Sequence, residues 1–138
     1  MATIQQARKA VVGLLYAYDL GNHDISKFFD TILEEDKIRN KKREFSYELF
    51  NGTIENLDKI DQIIKRNLKD WEYESIGKVE KAIIRLAVYE MIIAKKDSKI
   101  VINEAIELSK ELADEKAPKF INALLDYIYK NEGNSNAT

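Results

Sequence analysis

The stretch GKVEKAIIRLAVYEM, residues 77–91, is strongly apolar and decides the fold of the chain. A helix from Lys78 to about Ala94 would carry apolar side chains over a wide part of its circumference, as is typical of a helix contacted from several sides. The predicted buried stripe comprises Val79, Ala82, Ile83, Leu86, Tyr89, Glu90 and Ile93. This helix is therefore predicted to lie at the centre of an all-α protein.

One carboxylate interrupts this apolar stripe. Glu90 falls between Leu86 and Ile93, and a buried carboxylate without partners is costly. We expect it to accept hydrogen bonds from free N–H groups at the start of another helix. A catalytic role would need a partner acid or base, and the sequence offers no candidate.

Helical periodicity extends outward from this segment over nearly the whole chain. Gly52 falls inside a predicted helix, which indicates either close backbone approach or a kink. Residues 1–130 are predicted to form one compact domain of about seven helices, and the polar tail, residues 131–138, is expected to be disordered. The other predicted helices run from about Thr3 to Leu20, from the N-cap Asp24 to about residue 36, from Phe45 to Asn56, from Leu57 to Lys69, over about residues 101–113, and onward from Pro118.

Composition excludes several classes of function. The 138 residues include no Cys and one His, His23, so neither a disulfide framework nor a thiolate metal site is expected. The formal net charge of −2 argues against a strongly basic nucleic-acid clamp. No signal peptide or membrane span is evident, which predicts a cytoplasmic protein. We expect no enzymatic activity, no metal and no cofactor.

The segment PKFINALLD, residues 118–126, places a cation, a ring and an amide in the first turns of a helix. Lys119, Phe120 and Asn122 could together hold a phosphate, stack a base and read its edge at a positive helix N-terminus. The alternative is that Phe120 begins the core stripe of an amphipathic helix. Spacing alone leaves both interpretations open.

Three basic elements add to this signal. On the first helix, Lys9, Gly13 and Tyr16 form one line with Arg8 beside them, which would suit a single strand lying along the helix. Packing between helices is the alternative for Tyr16. The second element is a ridge on the central helix formed by Lys78, Lys81 and Arg85. The third is the run from Lys37 to Arg43, which we interpret as a solvated loop.

Several segments in order carry a family resemblance: ARKAVVGLLYAYDL at 7–20, ELFNGTIENLDKID at 48–61, GKVEKAIIRLAVYEM at 77–91, VINEAIELSKEL at 101–112 and PKFINALLD at 118–126. Together they resemble the NusB family of bacterial transcription antitermination factors. The chain departs from the family pattern in having few arginines at its N-terminus and Ala123 where the family usually has Gly. The resemblance implies two three-helix bundles packed across one another.

The resemblance also implies a function. Such a protein would bind boxA RNA as a single strand together with NusE, a small-subunit ribosomal protein. It would join the RNA polymerase elongation complex with other Nus factors and promote read-through, notably in ribosomal RNA operons. By motif, the RNA-binding candidates are Arg8, Lys9, Tyr16, Lys119, Phe120 and Asn122. The candidates for contact with the protein partner are Tyr18, Glu80 and Ile84.

Two other functions stay open at this point. The chain could be the NusB-like accessory domain of an RNA cytosine methyltransferase, or a helical adaptor that binds protein alone. An RNA titration separates the adaptor from the antitermination factor. The sequence leaves the oligomeric state undecided, because some proteins of this kind pair with themselves as homodimers.

Overall fold

The structure is a computed structural model that describes residues 2–133. This range contains α-helices and no strand, so the predicted all-α class is confirmed. The α-helices are α1 (Ile4–Asp19), α2 (Phe29–Glu35), α3 (Lys41–Glu55), α4 (Leu57–Arg66), α5 (Asp70–Glu74), α6 (Lys78–Val88), α7 (Ser98–Leu112) and α8 (Ala117–Ile128). Shorter helical segments are a 3₁₀ helix (His23–Phe28) and two π-helical turns (Tyr89–Ile93 and Tyr129–Gly133).

The central helix is α6, as the sequence predicted. It packs against α1, α3, α4, α7 and α8, and every residue from Ala82 to Val88 is buried. Helices α1, α2 and α3 form one group, and α6 forms the other with α7 and α8, which gives the two three-helix bundles that the resemblance implied. No helix among residues 2–133 has the length and apolar character needed to cross a bilayer.

The last turn of this helix is wider than predicted. Residues Tyr89–Ile93 form a π-helical turn, so the α-helical geometry ends at Val88. The Tyr89 ring lies directly over Gly52 of α3, where a Cβ atom would collide with it. Its hydroxyl donates a hydrogen bond of 2.6 Å to Glu48 Oε2. Gly52 therefore marks a close approach between α3 and the π-helical turn, one of the two alternatives predicted for it.

Two element boundaries differ from the prediction on the N-terminal side. Asp24 does not cap a helix. It lies inside the 3₁₀ segment, which is held against the end of α1 by stacking of His23 on Tyr18 at 4.3 Å. Helix α3 begins at Lys41, four residues before the predicted start at Phe45. The end of the basic run is therefore helical and not a loop.

A third difference lies between α4 and α6. Trp71 and Tyr73, predicted in a polar link, lie in the short helix α5. The Glu72 carboxylate accepts a hydrogen bond of 2.9 Å from the Lys69 backbone N–H and thereby stabilises the first turn. The Tyr73 ring is buried, with a lysine ammonium 4.8 Å from its centre on each of two helices. Burial of this ring therefore accompanies helix formation over a segment too short to be helical alone.

The predicted disorder of the tail is wrong for its first three residues. Residues 131–133 complete the last π-helical turn. Within it, Glu132 accepts hydrogen bonds of 2.7 and 2.5 Å from the Arg66 guanidinium and one of 3.0 Å from the Asn67 side chain. Residues 134–138, the rest of the predicted tail, lie outside the described residues.

The buried carboxylate of the central helix has a different partner from the one expected. Glu90 is 1% exposed, and it accepts two hydrogen bonds from Arg8 of α1, from Nε at 3.0 Å and from Nη2 at 2.9 Å. Lys96 lies 3.4 Å from the same carboxylate. The expectation of backbone N–H donors from a helix start is therefore wrong. A bidentate guanidinium replaces the lost hydration of Glu90 and links α1 to the end of the central helix.

This ion pair predicts contrasting effects for two adjacent residues. Arg8→Ala should lower the free energy of unfolding by about 3 kcal/mol, because it leaves Glu90 buried with only Lys96 nearby. Lys9→Ala should cost at most about 1 kcal/mol, because the pair of Lys9 with Glu111 is about half exposed. Urea denaturation of both variants measures the difference. Equal losses would show that the Arg8–Glu90 pair contributes no more than a surface ion pair.

Candidate RNA and protein interfaces

The start of α8 leaves the predicted cation, ring and amide exposed, with Phe120 and Asn122 on different sides of the helix. Lys119 and Asn122 are exposed, and Phe120 is 36% exposed although it is the first aromatic residue of the helix. The core side of α8 is instead formed by Ile121, Leu124, Leu125 and Ile128. The interpretation of Phe120 as the first core residue is therefore wrong, and its ring is accessible to a ligand.

The N-terminus of α8 itself is already occupied by a carboxylate. Asp114 Oδ1 accepts hydrogen bonds from the backbone N–H groups of Lys116 at 2.9 Å and Ala117 at 3.1 Å. The helix begins at Ala117, one residue before Pro118. An acidic side chain at this position competes with an incoming phosphate for the same donors. The backbone N–H groups of Lys116 and Ala117 are therefore already satisfied within the protein.

The predicted line on α1 is open to solvent. Lys9 is exposed and forms an ion pair of 2.5 Å with Glu111 of α7, which ties it to the C-terminal half of the fold. No atom lies within 4 Å of the place where a Cβ atom of Gly13 would be. Tyr16 is half-buried against the core. A hollow of about 350 Å³, here called the α1 hollow, is lined by Gln6, Lys9, Ala10, Gly13, Leu14, Ile25, Ile32 and Asp36.

One member of the predicted RNA-binding set belongs to the core instead. Arg8 is 8% exposed, its guanidinium is paired with Glu90, and it also lies 5.1 Å from the centre of the Phe45 ring. Releasing it to a ligand would leave the Glu90 carboxylate poorly paired in the interior. The prediction that Arg8 faces RNA therefore conflicts with its position.

The basic ridge on the central helix is neutralised within the protein. Arg85 is buried and donates hydrogen bonds of 2.9 Å to both carboxylate oxygens of Asp61 and one of 3.0 Å to Asp19. Burial alone would raise the pKa of Asp19, but the hydrogen bond and charge of Arg85, with the charge of Lys78, lower it overall. Lys81 lies over the Tyr73 ring. This ridge is a network that supports the fold and not a free cationic surface.

Of the three residues predicted to contact a protein partner, one is inaccessible. Ile84 is 0% exposed, because α6 is covered on that side as well, and its predicted surface position is therefore wrong. Tyr18 is half-buried with one ring face stacked on His23. Glu80 is half-buried near the start of α6, with its carboxylate against the backbone at Gly77.

The two predicted surfaces meet at one hollow. Glu80 and Phe120 both line a depression of about 200 Å³, together with Ser75, Ile76, Gly77, Asp114, Lys116 and Ala117. A substitution of Glu80 would therefore act next to the Phe120 ring as well. Lys116, which is not among the predicted site residues, is exposed at the same place. Its position just before a predicted helix start was the signal that could have identified it.

These features define a class of protein: an all-α binding protein whose exposed cationic and aromatic side chains lie at the start of one helix and along the face of another. Comparisons with known proteins give the family. The NusB family model matches residues 5–130, and the chain belongs to the NusB family. The family is one of non-catalytic transcription antitermination factors, which confirms that the chain is not an enzyme.

Individual relatives agree with this assignment. The transcription antitermination protein NusB of Sulfurovum sp. (strain NBC37-1) is 65% identical over 94% of this chain and 100% of its own length. A chain in a crystal structure of antitermination factors NusB and NusE in complex with dsRNA is 33% identical, with a TM-score of 0.83 over 92% of this chain and 96% of that one. The solution structure of NusB from Aquifex aeolicus is 35% identical, with a TM-score of 0.82 over 99% of this chain and 93% of that one.

Proposed function

We propose that this member of the NusB family binds single-stranded, boxA-like RNA together with NusE, and that the complex joins elongating RNA polymerase to promote read-through, notably in ribosomal RNA operons. The observation that carries the proposal is the exposure of the Lys119, Phe120 and Asn122 side chains in the first turns of α8. Its support from comparison is the similar fold solved with NusE and dsRNA.

The proposed RNA face combines two helices. Lys9 and Tyr16 of α1 would follow the strand, while Lys119, Phe120 and Asn122 of α8 would hold a phosphate, stack a base and read its edge. Stacking on an aromatic ring requires an unpaired base, so the proposal favours a single strand over a duplex. Arg8 is left out of this face because its guanidinium is buried against Glu90.

The proposed NusE face adjoins the RNA face near the start of α6. Glu80 and Tyr18 remain candidates for it, and Ile84 does not, since it is buried. Because Glu80 shares a hollow with Phe120, a partner on Glu80 would lie next to RNA bound at α8. Each ligand could then contact the other as well as this protein.

The alternatives have less support. The Sulfurovum relative is a transcription antitermination protein over its full length, which favours that role over an accessory domain of a methyltransferase. A helical adaptor that binds protein alone would not require an exposed cation, ring and amide close to one another in the chain. RNA binding by the purified chain distinguishes the adaptor from the proposed function.

Substitution of the exposed ring should weaken RNA binding without unfolding the protein. Phe120→Ala should cost about 1–3 kcal/mol in affinity for a short single-stranded RNA, the usual value of one stacked base. Fluorescence anisotropy measures the affinity, and circular dichroism checks the fold. Phe28→Ala is the matched control, because Phe28 is also an exposed phenylalanine, at 54%, but lies in the 3₁₀ segment. Equal RNA affinities for wild type and Phe120→Ala would remove Phe120 from the RNA face.

RNA and NusE should bind this protein with positive cooperativity, because their proposed faces adjoin. Linkage requires each ligand to raise the affinity of the other by the same factor, with a coupling of about 1–3 kcal/mol. Calorimetric titration of NusE, with and without saturating boxA-like RNA, measures that factor. A duplex of the same sequence should give a smaller effect than the single strand.

A variant on α1 provides the control for this experiment. Lys9→Ala should reduce RNA affinity while leaving NusE affinity unchanged when RNA is absent, since Lys9 does not line the hollow shared by Glu80 and Phe120. Identical NusE affinities with and without RNA would contradict adjoining faces. Absence of RNA binding under either condition, with NusE still bound, would favour the adaptor.

A further inference from the structure

A second, larger groove lies at the N-terminal end of α1. It has a volume of about 970 Å³ and is formed where the start of α1 faces the segment that joins α2 to α3. Ala2 and Ile4 supply an apolar wall, and Ile4 is 43% exposed. Lys37, Arg39, Lys41 and Lys42 supply the charge, so the lining, here called the basic groove, is of one sign.

Most of this positive charge is unpaired. Among the described residues, Lys37, Lys41 and Lys42 have no carboxylate within ion-pair distance, whereas Arg39 is paired with Glu34 at 2.7 Å. Lys41 and Lys42 also lie in the first turn of α3, where the helix dipole is positive. The fold therefore concentrates cations at a place where nothing in the described part of the chain neutralises them. An anionic ligand is the chemistry that fits.

The basic groove lies close to the proposed RNA face at the N-terminal end of α1. The two linings share no residue, but Asp36 of the α1 hollow directly precedes Lys37 of the groove in the chain. Asp36 lies at this junction, but the lysines beyond it keep the path positive overall. A strand lying over Lys9 and Gly13 would therefore reach the groove by passing around the first turn of α1, beside Asp36 and Lys37.

The groove is suited to phosphates and not to reading bases. Lysine ammonium groups act as flexible point charges without the fixed geometry that base recognition needs. Phe45 lines the groove, but its ring already contacts the guanidinium of Arg8 and the ammonium of Lys96, at 5.1 and 4.7 Å, which leaves it less available for stacking. Contacts made here would therefore depend on the length of a nucleic acid and little on its sequence.

We propose that Lys37, Lys41 and Lys42 bind the backbone phosphates of single-stranded RNA flanking the segment held on α1 and α8, so that the protein has a longer RNA footprint. This inference rests on the proposed function, because it extends the same bound strand. It assigns a role to the basic run, which the sequence analysis interpreted as a solvated loop.

The dimensions of α1 set the lengths of RNA to compare. Gln6 of the α1 hollow and Tyr16 are separated by about 15 Å along the helix at about 1.5 Å per residue, which a stacked strand covers with about five nucleotides at about 3.4 Å each. An RNA of about 6 nucleotides is therefore long enough for the α1 face alone, and one of about 14 nucleotides is long enough for the groove as well.

The test combines RNA length with salt dependence. Lys37→Gln with Lys41→Gln should make the log–log salt slope for the longer RNA shallower by about 1.4, since each phosphate contact on a single strand contributes about 0.7. Between about 50 and about 200 mM salt, this corresponds to about a sevenfold smaller loss of affinity. The slope for the shorter RNA should not change. Lys59→Gln with Lys69→Gln, two exposed lysines outside the groove, is the matched control and should behave as wild type.

The outcomes separate this inference from the proposed function. Equal slopes for wild type and the groove variant on the longer RNA, with normal binding of the shorter RNA, would overturn the groove assignment alone. A groove variant that loses NusE affinity while keeping its RNA slope would also overturn it and assign the groove to a protein. Failure of wild type to bind either RNA, with or without NusE, would overturn the proposed function as well.

Discussion

The ion pair between Arg8 and Glu90 is the constraint on which much of this structure depends. It is buried, bidentate and formed between the first helix and the end of the central one, so it fixes how the two three-helix groups meet. Both charges are removed from water, and each is tolerable only because the other is present. The position of α1 along α6 is therefore set by charge as well as by packing.

That constraint also decides which side of α1 remains free. Consecutive residues on an α-helix are separated by about 100° around its axis. With Arg8 directed into the core, Lys9 is directed outward, and Gly13 and Tyr16 follow it along the same side. The α1 hollow lies along this exposed side, whereas the basic groove lies at the N-terminal end of α1, on the side of Ile4. One helix thus contributes a core residue and a candidate ligand-binding residue at adjacent positions.

The central helix limits which residues are available to bind a partner. Because α6 is contacted from several sides, few of its side chains are left for a partner, and Ile84 is buried. Its exposed contribution is concentrated near its start, around Glu80, beside the hollow that contains Phe120. The π-helical turn at its other end brings Tyr89 over Gly52 and carries Glu90 toward Arg8. Turns of this kind often occur at functional sites, and here the turn joins the two helical groups.

Periodicity was sufficient to predict the all-α class and the central position of α6, since these follow from local pattern and apolar burial. For Gly52 it left two alternatives, of which the structure has the close approach. Periodicity failed for Arg8 and Arg85, and the family resemblance failed for Ile84, because whether a side chain faces the core depends on contacts between distant helices. Arg8 and Glu90 are 82 residues apart in sequence. Spacing likewise could not predict whether Phe120 is exposed, because an aromatic ring at the start of a helix can lie on the core side or on the solvent side. The start of α3 was missed because polar residues in a first turn resemble a loop.

The central claim is that two adjacent residues of α1 have different roles: Arg8 belongs to the core, and Lys9 belongs to the RNA-binding face. An NMR titration of the isotope-labelled protein with a short single-stranded RNA tests it most directly. The account predicts shifts at Lys9, Gly13, Tyr16 and the start of α8, while the Arg8 Nε–H signal persists and exchanges slowly with water. Loss of that protected Arg8 signal on RNA binding, with no change at Lys119, Phe120 or Asn122, would contradict it.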